Sequence, residues 1–121
     1  MSHIMKLKNI VLSILLTSSL LGFAHAEEVA FSQELVQQAK SGDAVAQNNL
    51  GDAYYYGYDV EKDFDKAIEW FKQAAAKGNA DALFSVGYMY DYGEGVEEDN
   101  PTALKWYTQA AQKGQLYAQY Y

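Results

Sequence analysis

Residues 79–114 read NADALFSVGYMYDYGEGVEEDNPTALKWYTQAAQKG, and residues 43–78 read DAVAQNNLGDAYYYGYDVEKDFDKAIEWFKQAAAKG. The two stretches align without a gap and share sixteen identical residues. Gly42, Gly78 and Gly114 mark the same interval of 36 residues. Chance does not produce such a register, and a period of this length is typical of proteins built from stacked repeats.

Each repeat is predicted to form two helices. In the first copy, residues recur at helical spacing over positions 44–56 and again over positions 65–77. The same pattern returns one repeat later in the second copy. Glycines stand where a left-handed residue would end each helix, namely Gly57, Gly78, Gly93 and Gly114. The sequence therefore predicts a series of helical hairpins.

Capping residues are predicted to set where the helices begin. Ser32, Asp63 and Asp99 each precede a predicted helix, and their side chains suit the cap position. Asn100 followed by Pro101 is a further start signal, because asparagine caps well and proline is tolerated at the first helical position. Local chemistry thus predicts the helix boundaries as well as their existence.

Two glycines interrupt the first helix of each repeat, at Gly51 and Gly87. Glycine destabilises a helix interior, so a packing reason is expected. The missing side chains are predicted to let the second helix approach closely, with Ala74 or Ala110 at the contact. The motif is therefore expected to be a tight hairpin.

The repeat resembles the Sel-1-like repeat family, a relative of the tetratricopeptide repeats. The resemblance covers both complete copies, and it implies an all-α solenoid of α-α hairpins. Asp59 stands where the pattern has glycine, which predicts a slightly different turn in the first copy. The matching residues of the second copy are Ala82, Val86, Gly87, Tyr90, Gly93, Gly95, Val96, Asp99, Ala103, Trp106, Tyr107, Ala110, Ala111 and Gly114.

The flanks of the two repeats are predicted to be partial repeats. Residues 27–42 are expected to form an N-terminal half-repeat, in which residues 31–40 align with a second helix, and residues 115–121 begin a third first helix. The domain is thus expected to comprise residues 27–121, with complete repeats at 43–78 and 79–114. Because an uncapped repeat end exposes apolar surface, the tyrosine-rich C-terminal end is expected to self-associate or to meet a partner.

The first residues predict export. Lys6 and Lys8 precede an uncharged, apolar stretch that ends at Ala24-His25-Ala26, so residues 1–26 have the plan of a cleaved signal peptide. The apolar centre is shorter than the roughly 20 residues that span a membrane. The chain contains no cysteine, which excludes a lipidated N-terminus. We therefore expect a periplasmic or secreted protein that is not inserted in the membrane.

Composition narrows the class of partner and of function. The chain has sixteen acidic and nine basic residues, which disfavours nucleic acid and anionic lipid as partners. Both histidines, His3 and His25, lie in the predicted leader, and the remainder has no arginine. The alternating acids from Asp59 to Asp65 fail the pattern of a calcium loop. No catalytic residue, metal ligand or cofactor is predicted.

Positions that differ between the repeats predict a binding surface. In related hairpin repeats the first helices line the concave side, and residues three or four apart share one face. Tyr54, Tyr90, Trp70 and Trp106 are instead expected to fill the hairpin core. For the aromatic residues of the predicted binding surface, the alternative role is packing between neighbouring repeats. The predicted partner-binding residues are Asn48, Asp52, Tyr55, Tyr56, Phe84, Tyr88, Asp91 and Tyr92.

Three functions remain open from sequence. The leading hypothesis is a non-catalytic module that binds a protein or peptide, with basic partners favoured by the acidic charge. The alternative is an immunity protein or inhibitor that neutralises a toxin delivered to the periplasm, a role that the resemblance also allows. The third is an enzyme acting on the cell wall, which would require Asp52 or Asp91 for activity.

Overall fold

A computed structural model describes residues 31–114 of the chain. The predicted leader, residues 27–30 and the predicted start of a third repeat lie outside these residues. No strand occurs within the described range, so the all-α prediction is confirmed. The helices are α1 (Gln33–Lys40), α2 (Ala44–Tyr56), α3 (Phe64–Ala76), α4 (Ala80–Tyr92) and α5 (Asn100–Gln112).

Side-chain caps begin the helices, as predicted for three of them. Ser32 Oγ accepts a hydrogen bond from Leu35 N at 3.0 Å, and Asp63 Oδ1 accepts one from Lys66 N at 3.0 Å. Asp63 directly precedes Phe64, so α3 begins one residue earlier than predicted. Each cap satisfies an amide that would otherwise have no helical partner.

The predicted cap at Asn100 is wrong, because Asp99 takes that role. Asp99 Oδ1 accepts from the Thr102 amide at 3.1 Å, and Asp99 Oδ2 accepts from the Thr102 hydroxyl at 2.8 Å. These bonds lower the pKa of Asp99 below its ordinary value. Asn100 is therefore the first helical residue and Pro101 the second.

The turns after α2 and α4 use left-handed residues. Gly57 ends α2 with φ 78°, and Gly93 ends α4 with φ 68°. Asp59 has φ 58° and Gly95 has φ 74°, so the two turns share one conformation and the different turn expected at Asp59 is wrong. Aspartate is one of the few residues with a side chain that visit this region routinely.

The mid-helix glycines do allow close packing, although the expected partners are wrong. A Cβ atom at Gly51 would lie 2.6 Å from the Phe71 ring, and one at Gly87 would lie 2.9 Å from the Tyr107 ring. The nearest atoms to the glycine positions therefore belong to aromatic rings and not to Ala74 or Ala110. In each hairpin a ring of the second helix lies against the bare backbone of the first.

Successive helices pack on each other and share two apolar clusters. The predicted core aromatics Tyr54, Tyr90, Trp70 and Trp106 are only half-buried, so they cover the edges of these clusters rather than filling them. Large rings with polar atoms commonly keep one edge in water. The smaller cluster contains Leu35, Ala39, Ala46 and Leu50, and the larger includes Ile68, Phe71, Leu83, Val86 and Met89.

One buried polar side chain ties the first three helices together. Gln47 on α2 is 2% exposed. Its Nε2 donates to the Ala39 carbonyl of α1 at 3.0 Å, and its Oε1 accepts from Lys77 Nζ at 3.1 Å. Because Lys77 ends α3, this single amide spans the junction between the half-repeat and the first full repeat.

Within residues 31–114, no helix has the length and apolar character needed to cross a bilayer.

Candidate functional site

A groove lies between the first helices of the two repeats. Helices α2 and α4 both pack on α3, and within the described residues they are not closely packed on each other. The space between them has a volume of about 300 Å³. Its lining residues are Asp52, Tyr55, Tyr56, Phe71, Phe84, Ser85 and Tyr88.

Aromatic rings form most of the groove wall. On the α2 side, the Tyr55 and Tyr56 ring centroids are 4.8 Å apart. On the α4 side, the Tyr88 and Tyr92 centroids are 4.5 Å apart, and Phe84 lies 6.4 Å from Tyr88. The outermost rings are well exposed, at 57% for Tyr56 and 61% for Tyr92. The groove therefore presents apolar ring surface to solvent.

Hydrogen bonds orient the phenol groups around the groove. The Tyr55 hydroxyl donates to Glu94 Oε1 at 2.6 Å, which ties α2 to the turn after α4. The Tyr107 hydroxyl donates to Asp91 Oδ2 at 3.1 Å. Burial first, and the bond to a carboxylate second, raises the pKa of Tyr55 and Tyr107 above the ordinary value. Both phenols therefore remain protonated donors at neutral pH.

Asp52 is the electrostatically unusual residue of the groove. Burial, and secondarily the charge of Asp81, raises the pKa of Asp52 from 3.8 to about 6. Within residues 31–114, no hydrogen bond or cation offsets this penalty. Asp91, by contrast, accepts hydrogen bonds from Asn100 Nδ2 at 2.7 Å and from Tyr107. A positively charged ligand would therefore stabilise the ionised form of the Asp52 carboxylate.

The groove brings together most of the predicted partner-binding residues. Asp52, Tyr55, Tyr56, Phe84 and Tyr88 all line it. Helical spacing places the members of this set that share a helix on one side of it, either α2 or α4. Accessibility of these five side chains is consistent with the predicted role, which remains a prediction.

Three predicted residues lie outside the groove lining. Tyr92 lies at the rim, with its ring tilted against that of Tyr88. Asp91 is half-buried, and its carboxylate is held by Tyr107 and Asn100. Asn48 is 8% exposed, and its Oδ1 has no hydrogen-bond partner among the described residues.

The side chain of Asn48 is buried although its place in the helix matches the groove side. Asn48 lies four residues before Asp52 and corresponds to Phe84 in the second repeat, but it is not among the groove-lining residues. The accessible face is therefore narrower than the comparison of the two repeats predicted.

Sequence reasoning missed several residues that build the groove. Phe71 belongs to a second helix, whereas the predicted surface used only the first helices, yet its ring lines the groove from α3. Ser85 lies between Phe84 and the core residue Val86, and its short side chain gave no indication in the sequence that it would line a groove. In the sequence, Glu94 is recognisable only as the residue between the two glycines of the Gly93-Glu94-Gly95 turn. The bond from Tyr55 to Glu94 joins two repeats, so only the fold reveals it.

The repeat pattern has a direct match among known families. The sequence profile of the Sel1 repeat matches residues 44–79 and 80–115. The chain belongs to the Sel1 repeat family. Sel1 repeat proteins generally act as protein-interaction modules and are typically non-enzymatic scaffolds.

Curated Sel1 relatives are similar over a single repeat length. A putative sel1-like repeat-containing protein of Acanthamoeba polyphaga mimivirus is 49% identical over 37 residues, which is 31% of this chain and 6% of that protein. The secretory immunoglobulin A-binding protein EsiB of Escherichia coli is 43% identical over 42 residues, which is 35% of this chain and 9% of that protein. This chain thus matches less than a tenth of each relative's length.

Solved structures share the Sel1 fold with this chain. A Sel1 repeat protein from Oxalobacter formigenes has a TM-score of 0.69 at 35% identity, covering 70% of this chain and 64% of that one. A protective antigen with this fold from uropathogenic Escherichia coli has a TM-score of 0.69 at 42% identity, covering 72% and 19%. Helicobacter pylori cysteine rich protein B has a TM-score of 0.68 at 28% identity, covering 71% and 65%. The helical repeat solenoid predicted from sequence is confirmed.

Proposed function

We propose that this chain binds another protein or a peptide in the groove between α2 and α4. The observation that carries the proposal is the groove itself, a cleft of about 300 Å³ walled by tyrosine rings that remain accessible. Tyrosine combines a rigid apolar ring with a polar tip, which makes it frequent at binding hot spots. A volume of this size accommodates one or two side chains of a partner.

The rest of the partner's contact would extend over the rim of the groove. Tyr56 stacks on Tyr58 with ring centroids 5.2 Å apart, and Tyr58 is 40% exposed. Tyr92 continues the exposed ring surface on the α4 side. A central pocket surrounded by exposed aromatic area suits a protein ligand better than a small substrate. The name of the Escherichia coli relative, which records binding of secretory immunoglobulin A, agrees with a protein as the class of ligand.

Charge and the leader sequence favour a particular kind of partner. The chain has a net charge of −7 at neutral pH, so basic proteins would be attracted electrostatically. The signal-peptide pattern of residues 1–26 favours a partner in the periplasm or outside the cell. A second candidate within this binding class is an inhibitor of a basic toxin, which the acidic charge supports. A toxin gene beside the gene for this protein would favour the inhibitor. A gene neighbourhood that contains no toxin gene would favour an adaptor.

Loss of partner capture by a groove variant tests the proposal. The variant with both Phe84→Ala and Tyr88→Ala should retain less than about a tenth of the partner that the unmodified protein captures from an envelope extract, because hot-spot truncations typically cost about 2 kcal/mol each. The matched control is Leu104→Ala, which removes a 63% exposed side chain of α5 outside the groove.

Circular dichroism should show that both proteins remain helical. The single Tyr88→Ala variant, which changes a more exposed residue, provides the same comparison if the double variant unfolds. Undiminished capture by a folded groove variant would contradict the proposal.

A further inference from the structure

The groove combines a carboxylate with aromatic surface, and none of the described residues that line it is basic. Asp52 lines it from α2, and Phe84 and Tyr88 line it from α4. None of the lining residues is lysine, and the described part of the chain contains no arginine or histidine. Asp52 is half-buried and the charge of Asp81 acts on it, so a cation beside Asp52 would stabilise its ionised form.

Elsewhere in this chain, three lysine ammonium groups lie over aromatic rings. Lys62 Nζ lies 5.3 Å from the Phe64 ring centroid, and Lys66 Nζ lies 5.5 Å from that of Tyr54. Lys72 Nζ lies 5.3 Å from the Tyr90 ring and also donates to its hydroxyl. None of these three lysines is among the residues that line the groove. Ring faces attract cations electrostatically, more strongly where water is partly excluded.

We propose that the groove is a receptor for one lysine or arginine side chain of the partner, with the Asp52 carboxylate as its counter-charge. The methylene stem would lie against Tyr56 and Tyr88, and the charged end would approach Asp52 above the Phe71 ring. Long basic side chains bury their stems on apolar surface in this way. This inference rests on the proposed function, since it specifies which partner group enters the groove.

Binding of that side chain depends on the protonation of Asp52. The groups facing Asp52 are Tyr56 on its own helix, Asp81 and Tyr88 on α4, and the uncharged Phe71 ring of α3, with Glu94 beyond Tyr55. Burial raises the pKa of Tyr55 and Tyr56, so both phenols stay neutral. With a pKa of about 6, Asp52 is charged at neutral pH and mostly neutral one unit below its pKa. Affinity for a cation should therefore fall about tenfold between pH 7.5 and pH 5.

Titration with three small amides tests the receptor. The probes are N-acetyl-lysine amide, N-acetyl-arginine amide and the uncharged N-acetyl-norleucine amide, followed by NMR of the aromatic rings in the purified protein. We expect saturable shifts of the Phe84 and Tyr88 signals at millimolar lysine or arginine probe, and at least about tenfold weaker binding of norleucine. The Asp52→Asn variant should lose both the preference for the charged probes and the dependence on pH. The control Glu69→Gln makes the same change in net charge at an exposed site on α3 and should keep both.

Two outcomes would overturn the receptor. The first is equal binding of the charged and uncharged probes, or no saturable shift with any of them. The second is an Asp52→Asn variant that keeps the preference for cations. If the probes fail but the groove variant still loses its protein partner, the proposed function stands and this inference falls. If the probes bind but the groove variant keeps its partner, the proposed function falls while the cation site remains.

Discussion

Asp52→Asn should stabilise the fold at neutral pH while it removes the proposed counter-charge from the groove. The rise in the pKa of Asp52 from 3.8 to about 6 means that the folded state disfavours the ionised carboxylate by about 3 kcal/mol. Asp52 keeps partial contact with water, and the asparagine amide must also be desolvated. We therefore expect the free energy of unfolding to increase by about 2 kcal/mol above pH 7.

The sign of the pH dependence follows from linkage. The folded-state pKa of Asp52 lies above its unfolded value, so the folded state binds this proton more tightly. The resulting stabilisation is fully present below about pH 4 and is lost as the pH rises through about 6. The asparagine variant lacks this loss. Its advantage over the unmodified protein should therefore be near zero at about pH 4 and should grow to its full value by about pH 7.

Urea denaturation followed by circular dichroism at several pH values measures this difference. Every other titrating group is common to the two proteins, so the difference between their unfolding free energies isolates Asp52. Glu69→Gln serves as the control for net charge, and it should change stability by less than about 0.5 kcal/mol at any pH. An asparagine variant that is less stable at neutral pH, or whose advantage does not change with pH, would refute the reasoning about the buried carboxylate.

Two further substitutions test the packing of the hairpins. Gly51→Ala should lower the free energy of unfolding by about 2 kcal/mol in urea titrations, because its Cβ would lie 2.6 Å from the Phe71 ring and this overpacking outweighs the gain in helix propensity; a stabilised variant would contradict it. Gln47→Ala should cost about 2 kcal/mol, because the buried carbonyl of Ala39 loses its amide donor and Lys77 its acceptor; an unchanged melting temperature would argue against the bridging role.

The helices were predictable from sequence because short-range chemistry sets their ends. Ser32 and Asp63 cap helices through a bond three residues along the chain, and Gly57 adopts the left-handed conformation that its place in the repeat indicated. The error at Asn100 arose because Asp99 and Asn100 are both good caps. In the structure Asp99 is the cap, and it accepts hydrogen bonds from both the amide and the hydroxyl of Thr102.

The groove was predictable only in part because it depends on contacts between repeats. Tyr55 and Tyr88 could be assigned to one face from helical spacing alone. The burial of Asn48 depends on which neighbour covers that side of α2, and the repeat pattern does not encode it. The Phe71 ring lies against Gly51 and also lines the groove, so one residue serves packing and surface together. Neighbouring repeats must be placed in space before such double roles can be seen.

Site-specific photo-crosslinking tests the central claim most directly. A photo-reactive amino acid at position 88 lies in the groove, and the same amino acid at position 104 lies on exposed α5 surface outside the groove lining. In cells that produce the protein, we predict a discrete crosslinked protein adduct from position 88 that is absent from position 104. An adduct from position 104 alone, or the same adduct from both positions, would contradict binding in the groove between α2 and α4.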